Sequence, residues 1–199
     1  MILAFDTSTA ACTAALFDGT GQCIARSDEI IGRGHAERLV PMIAELLDGR
    51  KPAKILVGVG PGSFTGIRVA IAAAHGMAIG WNAQIAGMSS LALLAVGHDR
   101  TVAGAMAGGH GELFVQQFED GQAAGDLLNL PPAEAAKAID SWLVVGSGAS
   151  QLVAARGSGE AREAWPSAAN ALSLPERLRS LPSKPVYARA PDARVREAA

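Results

Sequence analysis

The chain has 199 residues, of which 49% are hydrophobic and 18% charged, which excludes a disordered protein and predicts a globular one with a sizeable buried core. A formal net charge of -2 argues against a protein that binds nucleic acid by itself, because phosphate binding requires clustered Lys and Arg. The two cysteines, Cys12 and Cys23, lack CxxC spacing, so neither a disulfide framework nor a zinc motif is predicted and a reducing compartment is favoured.

Export and membrane insertion are not predicted. The N-terminus has no basic region and reaches Asp6 after five apolar residues, which is too short for a signal peptide. Residues 69–98 contain no Lys, Arg, Asp or Glu, but polar residues at 82–84 and 89–90 interrupt them before the roughly 20 consecutive apolar residues of a spanning helix. We therefore expect a cytoplasmic chain with no membrane contact.

The first hundred residues alternate between strand and helix patterns, which predicts a sheet layered with helices. Strands are predicted at 2–5, 13–17, 22–27, 54–60 and 84–87. Helices are predicted at 35–47, at 66–79 and, with Ser89-Ser90 as the cap, at 91–96. Pro41 lies inside the first helix and predicts a bend there or a start only near Val40.

The second half begins like the first, with a hairpin. Strands are predicted at 101–106, 112–118 and 142–145, with a glycine-rich turn at 107–111 and a short helix at 133–139. The remainder is rich in Ala and Arg and is expected to be helical before Pro182. Two hairpin-led halves predict an α/β protein with two lobes, residues 1–100 and 101–199.

The first candidate site is the turn Asp6-Thr7-Ser8-Thr9 between the first two strands. Converging backbone N–H groups, a carboxylate and three hydroxyls can hold a phosphate or a hydrated cation. The same residue types also form ordinary turns by bonding their own backbone. The local pattern leaves both interpretations open.

The second candidate site is the glycine-rich loop at 60–66, which joins a strand to a helix N-terminus. Such a position attracts anions through free N–H groups and the helix dipole. The loop matches neither the P-loop nor the GxGxxG spacing, and its glycines can also serve only to turn the chain. The candidate nucleotide or anion contacts are Asp6, Thr7, Ser8, Gly62 and Ser63.

The helix after this loop is apolar almost all round, so it must be covered on nearly every side. One face can pack on its own sheet. Its Ala and Gly positions allow a second helix to approach closely, which can be the 39–47 helix or a helix of a partner protein.

No catalytic or metal site is predicted. The histidines at 35, 75, 98 and 110 are not paired at helical spacing, and neither HExxH nor GxSxG occurs. The second turn, 107–111, carries no carboxylate to match Asp6, so half of a two-lobed nucleotide site is missing. His35, beside Glu37 and Arg38, is expected on an exposed interaction surface.

Three ordered motifs carry a family resemblance: residues 2–9 (ILAFDTST), 34–41 (GHAERLVP) and 60–68 (GPGSFTGIR). They closely resemble the TsaB family, also called YeaZ, with a weaker match at 111–114 and a further one at 185–189. The resemblance implies a two-lobed actin-like and Hsp70-like (ASKHA) ATPase fold. It also implies a non-catalytic role in making N6-threonylcarbamoyladenosine beside the anticodon of tRNAs that read codons starting with A.

The resemblance further implies partners: the related catalytic subunit TsaD, the ATPase TsaE, tRNA bound through the complex, and a homodimer through the same helical surface. TsaD carries an HxxxH metal pair where residues 87–94 here have no histidine. Whether ADP or ATP binds at the complex interface stays open. The family usually has Asp and Arg in the turn that here contains Ala107, Gly108 and Gly109, which leaves the role of that turn undefined.

We hypothesise that the two helices of the first half form an apolar surface for the TsaD-type subunit. Its predicted residues are His35, Arg38, Leu39, Met42, Ile43, Leu46, Ala70, Ala74 and Met77. The main alternative is a stand-alone nucleotide-dependent ATPase or phosphotransferase of the same fold, which predicts ATP hydrolysis without TsaD. A metalloprotease, the third alternative, predicts a tightly bound metal.

Overall fold

The computed structural model describes residues 1–98 and 100–188, which form two mixed sheets flanked by helices. The first sheet has the order β3-β2-β1-β4-β5. Its strands are β1 (Ile2–Asp6), β2 (Ala11–Phe17), β3 (Cys23–Ile30), β4 (Lys54–Gly58) and β5 (Gln84–Met88). The first three strands are antiparallel, and β4 and β5 run parallel to β1.

The second sheet has the order β11-β10-β6-β7-β8, with β9 also paired to β7. Its strands are β6 (Thr101–Ala107), β7 (Leu113–Glu119), β8 (Gln122–Ala123), β9 (Leu128–Leu130), β10 (Leu143–Val145) and β11 (Glu160–Arg162). The hairpin of β6 and β7 is confirmed. The helical expectation for the Ala- and Arg-rich region was wrong at β11, an exposed three-residue strand whose pairing with β10 leaves no periodic signal.

Five α-helices are present among the described residues: α1 (His35–Leu47), α2 (Phe64–Trp81), α3 (Pro132–Ala138), α4 (Ala149–Arg156) and α5 (Glu176–Arg179). Three short 3-10 helices lie at Ala92–Leu94, Gly109–Gly111 and Ala168–Ser173. Helix α1 begins at His35, so the alternative start near Val40 was wrong. Pro41 and Glu37 are both exposed, so water can solvate the carbonyl of Glu37, which Pro41 leaves without its helical donor.

The helix predicted after β5, at residues 91–96, is shorter in the structure. Ser89 accepts a hydrogen bond from the backbone N–H of Ala92 at 3.2 Å, which confirms it as a cap. The helix itself is only a three-residue 3-10 turn, Ala92–Leu94. Its side chains are buried between the two sheets, so tertiary packing rather than helical periodicity sets the conformation.

Alternation along the strands places the core on both faces of the first sheet. Leu3 and Phe5 point toward α1 and α2, whereas Ala4 faces the second sheet. The far face of the second sheet packs on α3 and α4. Helices, sheet, sheet and helices thus form successive layers, which confirms the predicted two-lobed actin-like fold.

By α5 the described part of the chain has returned from the second lobe to the first. The N–H of Ser89 donates to the carbonyl of Leu178 at 2.9 Å, and Leu181 forms an antiparallel bridge with Gly87 of β5. The division into lobes of residues 1–100 and 101–199 stays a prediction, and its last eleven residues lie outside the described residues. No helix in the described parts of the chain combines the length and apolarity needed to cross a membrane.

Candidate functional site

Asp6 ends β1 and is completely buried, with 0% of its surface exposed. Its Oδ1 accepts hydrogen bonds from the Ser8 backbone N–H at 2.7 Å and from the Ser8 hydroxyl at 2.6 Å. Its Oδ2 accepts one from the hydroxyl of Ser90, just beyond β5. Both carboxylate oxygens are therefore engaged within the protein.

The surroundings of Asp6 leave little room beside it. A Cβ on Gly58 would lie 1.7 Å from Oδ2 of Asp6, so the carboxylate occupies the space that any side chain at 58 would need. The Ser90 hydroxyl also accepts the backbone N–H of Gly60 at 3.1 Å. This packing favours the interpretation that Asp6 stabilises the turn. A contact between Asp6 and an anion stays a prediction.

Thr7 joins the turn to the start of α2. Its hydroxyl donates to the carbonyl of Gly66 at 2.7 Å, and the side chain is fully buried. A Cβ on Gly66 would lie 2.0 Å from the Thr7 carbonyl oxygen, so glycine is needed at this first turn of α2. The two candidate sites predicted from the sequence are thus one packed unit.

The glycine-rich loop lies against the same turn. The N–H of Ser63 donates to the carbonyl of Ser8 at 2.7 Å, and the Ser63 hydroxyl caps α2 by accepting the N–H of Gly66 at 3.2 Å. Gly62 has φ +150, and a Cβ there would lie 2.2 Å from the Ser8 carbonyl oxygen. Of the five candidate contacts, Ser8, Gly62 and Ser63 line an open cleft, and Asp6 and Thr7 lie beneath it.

The cleft has a volume of about 1420 Å³ and lies between the N-termini of α1 and α2, the 107–111 turn and residues 186–188. Helix N-termini favour anions. Its ionisable lining groups are Arg33, His35, Glu37, Arg68, His110 and Glu163. Both charge signs are present, so the cleft is not strongly cationic.

An aromatic and arginine stack borders the cleft, and no role for it was predicted from the sequence. The Phe64 and Tyr187 rings stack with centroids 5.7 Å apart, and the Arg68 guanidinium lies 3.6 Å from the centre of the Phe64 ring. The Nε of Arg68 donates to the Tyr187 hydroxyl at 3.2 Å. The spacing of Phe64 and Arg68, four residues apart at a helix start, was the available signal.

Two polar residues of the predicted partner interface lie at the start of α1. His35 is half-buried, and its buried Nε2 has no hydrogen-bond partner among residues 1–98 and 100–188. Arg38 pairs with Glu29 of β3 at 2.6 Å and with Glu45 at 3.1 Å. Hydrogen bonds from the Arg38 guanidinium hold the pKa of Glu29 below its ordinary value. Arg38 therefore serves the chain's own structure.

The apolar residues predicted for the interface lie mostly inside the protein. Met77 is half-buried, and the others are buried in the core between the helices and the first sheet: Leu39, Met42, Ile43, Leu46, Ala70 and Ala74. The reason is that their helical spacing marks the face that covers the chain's own sheet. In this conformation they support a surface from beneath and do not supply it.

Helix α2 has an apolar side that the described residues of the chain leave uncovered, and the expectation that a partner's helix covers it stays a prediction. Ala72, Gly76 and Ile79 are exposed at helical spacing, and Ile79 is 84% exposed. Val40 and Ala44 form an exposed pair on α1, which packs beside α2 on the same core. We call these five residues the open helical face.

Metal-binding chemistry has no support in the described residues, among which no three His, Cys, Asp or Glu side chains are grouped so as to hold an ion. Burial raises the pKa of the Cys12 thiol to about 11, so it is not an activated nucleophile. In the 107–111 turn, no side chain is buried, and His110 adopts φ 62.

Comparison with known families and proteins gives concordant results. A family model described as "TsaD: tRNA N6-adenosine threonylcarbamoyltransferase" matches residues 27–172. The tRNA threonylcarbamoyladenosine biosynthesis protein TsaB of Escherichia coli (strain K12) is 38% identical over 102 residues, which are 48% of this chain and 43% of that protein. TsaB of Haemophilus influenzae is 38% identical over 100 residues, 47% of this chain and 41% of that protein. The chain thus matches less than half the length of these curated relatives.

Solved structures match over nearly the whole chain. YeaZ from Pseudomonas aeruginosa has a TM-score of 0.76 and 31% identity, covering 94% of this chain and 98% of that one. A second Pseudomonas aeruginosa structure, described as an uncharacterized protein with similarity to peptidase YeaZ, has a TM-score of 0.77, 31% identity and coverages of 94% and 99%.

Proposed function

Because this chain belongs to the TsaB/YeaZ family, we propose that it is a non-catalytic subunit in the synthesis of N6-threonylcarbamoyladenosine on tRNA. Its partner is a TsaD-type subunit, which performs the transfer. A TsaE-type ATPase completes the assembly, and tRNA is bound through the complex. A homodimer through the same surface competes with the TsaD-type partner.

The open helical face is the observation that carries this proposal. An isoleucine that is 84% exposed on a largely apolar helix loses the stabilisation that burial gives, about 1.5–3 kcal/mol for a side chain of this size. The small residues Ala72 and Gly76 on the same side allow another helix to approach closely. A sister subunit with a similar apolar helix fits this surface.

The cleft supplies the second part of the proposal. Gly62 and Ser63 line the cleft at the N-terminus of α2, with Ser8 beside them, and the positive end of the helix dipole suits the phosphates of ADP or ATP held between the two subunits. Asp6 lies below this surface with both oxygens engaged. In the proposed complex it shapes the loop and does not contact the nucleotide.

A charge on the open helical face tests the docking role. Ile79→Glu removes apolar burial and places a carboxylate in the interface, so we expect binding to a TsaD-type subunit to weaken by at least about tenfold. The matched control is Ile30→Glu. Ile30 is 67% exposed on β3 and shares a strand face with Asp28, which bonds Ser167 on the side of the sheet away from α1 and α2.

The measurement is co-elution and calorimetric titration of each folded variant with the TsaD-type subunit. If both variants bind the TsaD-type subunit as tightly as the wild type does, α2 is not part of the interface. Depleting the protein and quantifying threonylcarbamoyladenosine in total tRNA tests the function itself. Unchanged levels of the modified nucleoside would contradict the assignment.

A further inference from the structure

The segment 181–188 follows an unusual path back to the first lobe. Leu181 pairs with Gly87 at the free edge of β5, through an N–H to carbonyl bond in each direction, at 2.6 and 3.0 Å. Farther on, the N–H of Val186 donates to the carbonyl of Val59 at 2.8 Å. The segment therefore covers the β5 edge and ends over the glycine-rich loop, where residues 186–188 line the cleft.

Two glycines make this path possible. A Cβ on Gly87 would lie 2.7 Å from the carbonyl oxygen of Pro182, and a Cβ on Gly60 would lie 3.1 Å from that of Val186. Any other residue at 87 would push the segment away or move its neighbours. The close approach of residues 181–188 to the first lobe thus depends on two glycines that are distant from this segment in the sequence.

The same segment also contacts one side of α2. Tyr187 stacks on Phe64 and accepts a hydrogen bond from Arg68, and the Ser183 hydroxyl lies 3.3 Å from Nε2 of His75. Phe64, Arg68 and His75 lie on one face of α2, at spacings of four and seven residues. Residues 181–188 therefore run along about three turns of the helix.

Residues 181–188 add to the packing that holds α2. Only Gly66, Ile67, Ala70 and Ala74 of its 18 residues are fully buried, and partly buried side chains such as Met77 and Trp81 pack on the same core. The core thus holds one side of α2, and residues 181–188 contact the side that carries Phe64, Arg68 and His75. The open helical face lies on a different side of the helix, where no described residue of the chain covers it.

We propose that residues 181–188 form a clasp that holds α2 in the orientation in which its open face binds the partner subunit. This inference rests on the proposed function for the identity of the partner. The clasp contributes no side chain to the open helical face. It acts by lowering the conformational cost of binding, because a partner meets a helix that is already fixed.

Tyr187→Ala, which removes the stack, tests the clasp, with Tyr187→Phe as the conservative variant and Trp142→Ala as the control. Trp142 is an exposed aromatic residue, 66% exposed, in the second lobe. Hydrogen exchange of the isolated chain should become about tenfold faster at the amides of residues 66–75 in Tyr187→Ala, with little change in the control. Binding to the TsaD-type subunit should weaken about fivefold to tenfold. Tyr187→Phe keeps the aromatic stack, so it should largely retain both the slow exchange of residues 66–75 and the affinity for the TsaD-type subunit.

Gly87→Ala disturbs the other end of the clasp and should accelerate exchange in α2 as well. Unchanged exchange in both Tyr187→Ala and Gly87→Ala would overturn the clasp. Faster exchange with unchanged affinity would overturn its role in docking. A wild-type chain that does not bind the TsaD-type subunit would contradict the proposed function, and the exchange data would still decide whether the clasp holds α2.

Discussion

Replacing Asp6 with alanine tests whether its carboxylate stabilises the fold or serves mainly to bind a ligand. In the folded chain the side chain accepts three hydrogen bonds, two from Ser8 and one from Ser90, and all of these groups are buried. The substitution leaves the Ser8 N–H buried without an acceptor, which costs about 1–3 kcal/mol. Loss of the two hydroxyl bonds adds about 0.5–1.5 kcal/mol each.

Together these losses predict a destabilisation of about 2–6 kcal/mol. For a chain of 199 residues, 1 kcal/mol lowers the Tm by roughly 2–4 °C, so a central loss of about 4 kcal/mol should lower the Tm of Asp6→Ala by roughly 8–16 °C. Differential scanning calorimetry and urea unfolding of the purified chain measure both quantities.

Asp18 provides a matched control in the turn between β2 and β3. Its Oδ1 accepts hydrogen bonds from the N–H and hydroxyl of Thr20 and from the N–H of Gln22, at 2.8, 2.7 and 3.0 Å. These groups are accessible to water, which replaces the lost bonds, so Asp18→Ala should destabilise the chain much less. An Asp6→Ala chain as stable as Asp18→Ala would refute the reasoning and return Asp6 to the candidate ligand contacts.

Three further outcomes follow from the same geometry. Gly66→Ala should prevent correct folding because its Cβ would meet the Thr7 carbonyl, whereas Gly76→Ala, with open space around it, should raise the free energy of unfolding by about 0.5–1 kcal/mol in urea titration. Iodoacetamide at pH 8 should label the folded chain at Cys23 and not at Cys12, whose pKa burial raises to about 11, and mass spectrometry reads the sites. Arg38→Ala should destabilise the chain at neutral pH, and the difference from wild type should disappear as pH falls through the lowered pKa of Glu29, because the pairing is lost on protonation.

Local sequence determined most of the elements and all of the motifs, whereas the short helix at Ala92–Leu94 and strand β11 depended on tertiary packing. The hairpins, the helical spacing of α1 and the cap at Ser89 each depend on residues a few positions apart, and the structure contains all of them. Family motifs likewise identified the chain's relatives. The sequence also showed that α2 has apolar residues on nearly every side, which its own sheet alone does not cover.

The tertiary structure decided what covers each surface. Periodicity marked Leu39 and Met42 as apolar, but only the packed chain shows that they face its own sheet, while Ile79 stays open. Ser90 reaches Asp6 across 84 residues and Tyr187 reaches Arg68 across 119. Side-chain patterns specify which faces avoid water, whereas the partner of each face depends on the path of the whole chain. The hydrogen bonds to the Asp6 carboxylate and the clasp of residues 181–188 were therefore found only in the tertiary structure.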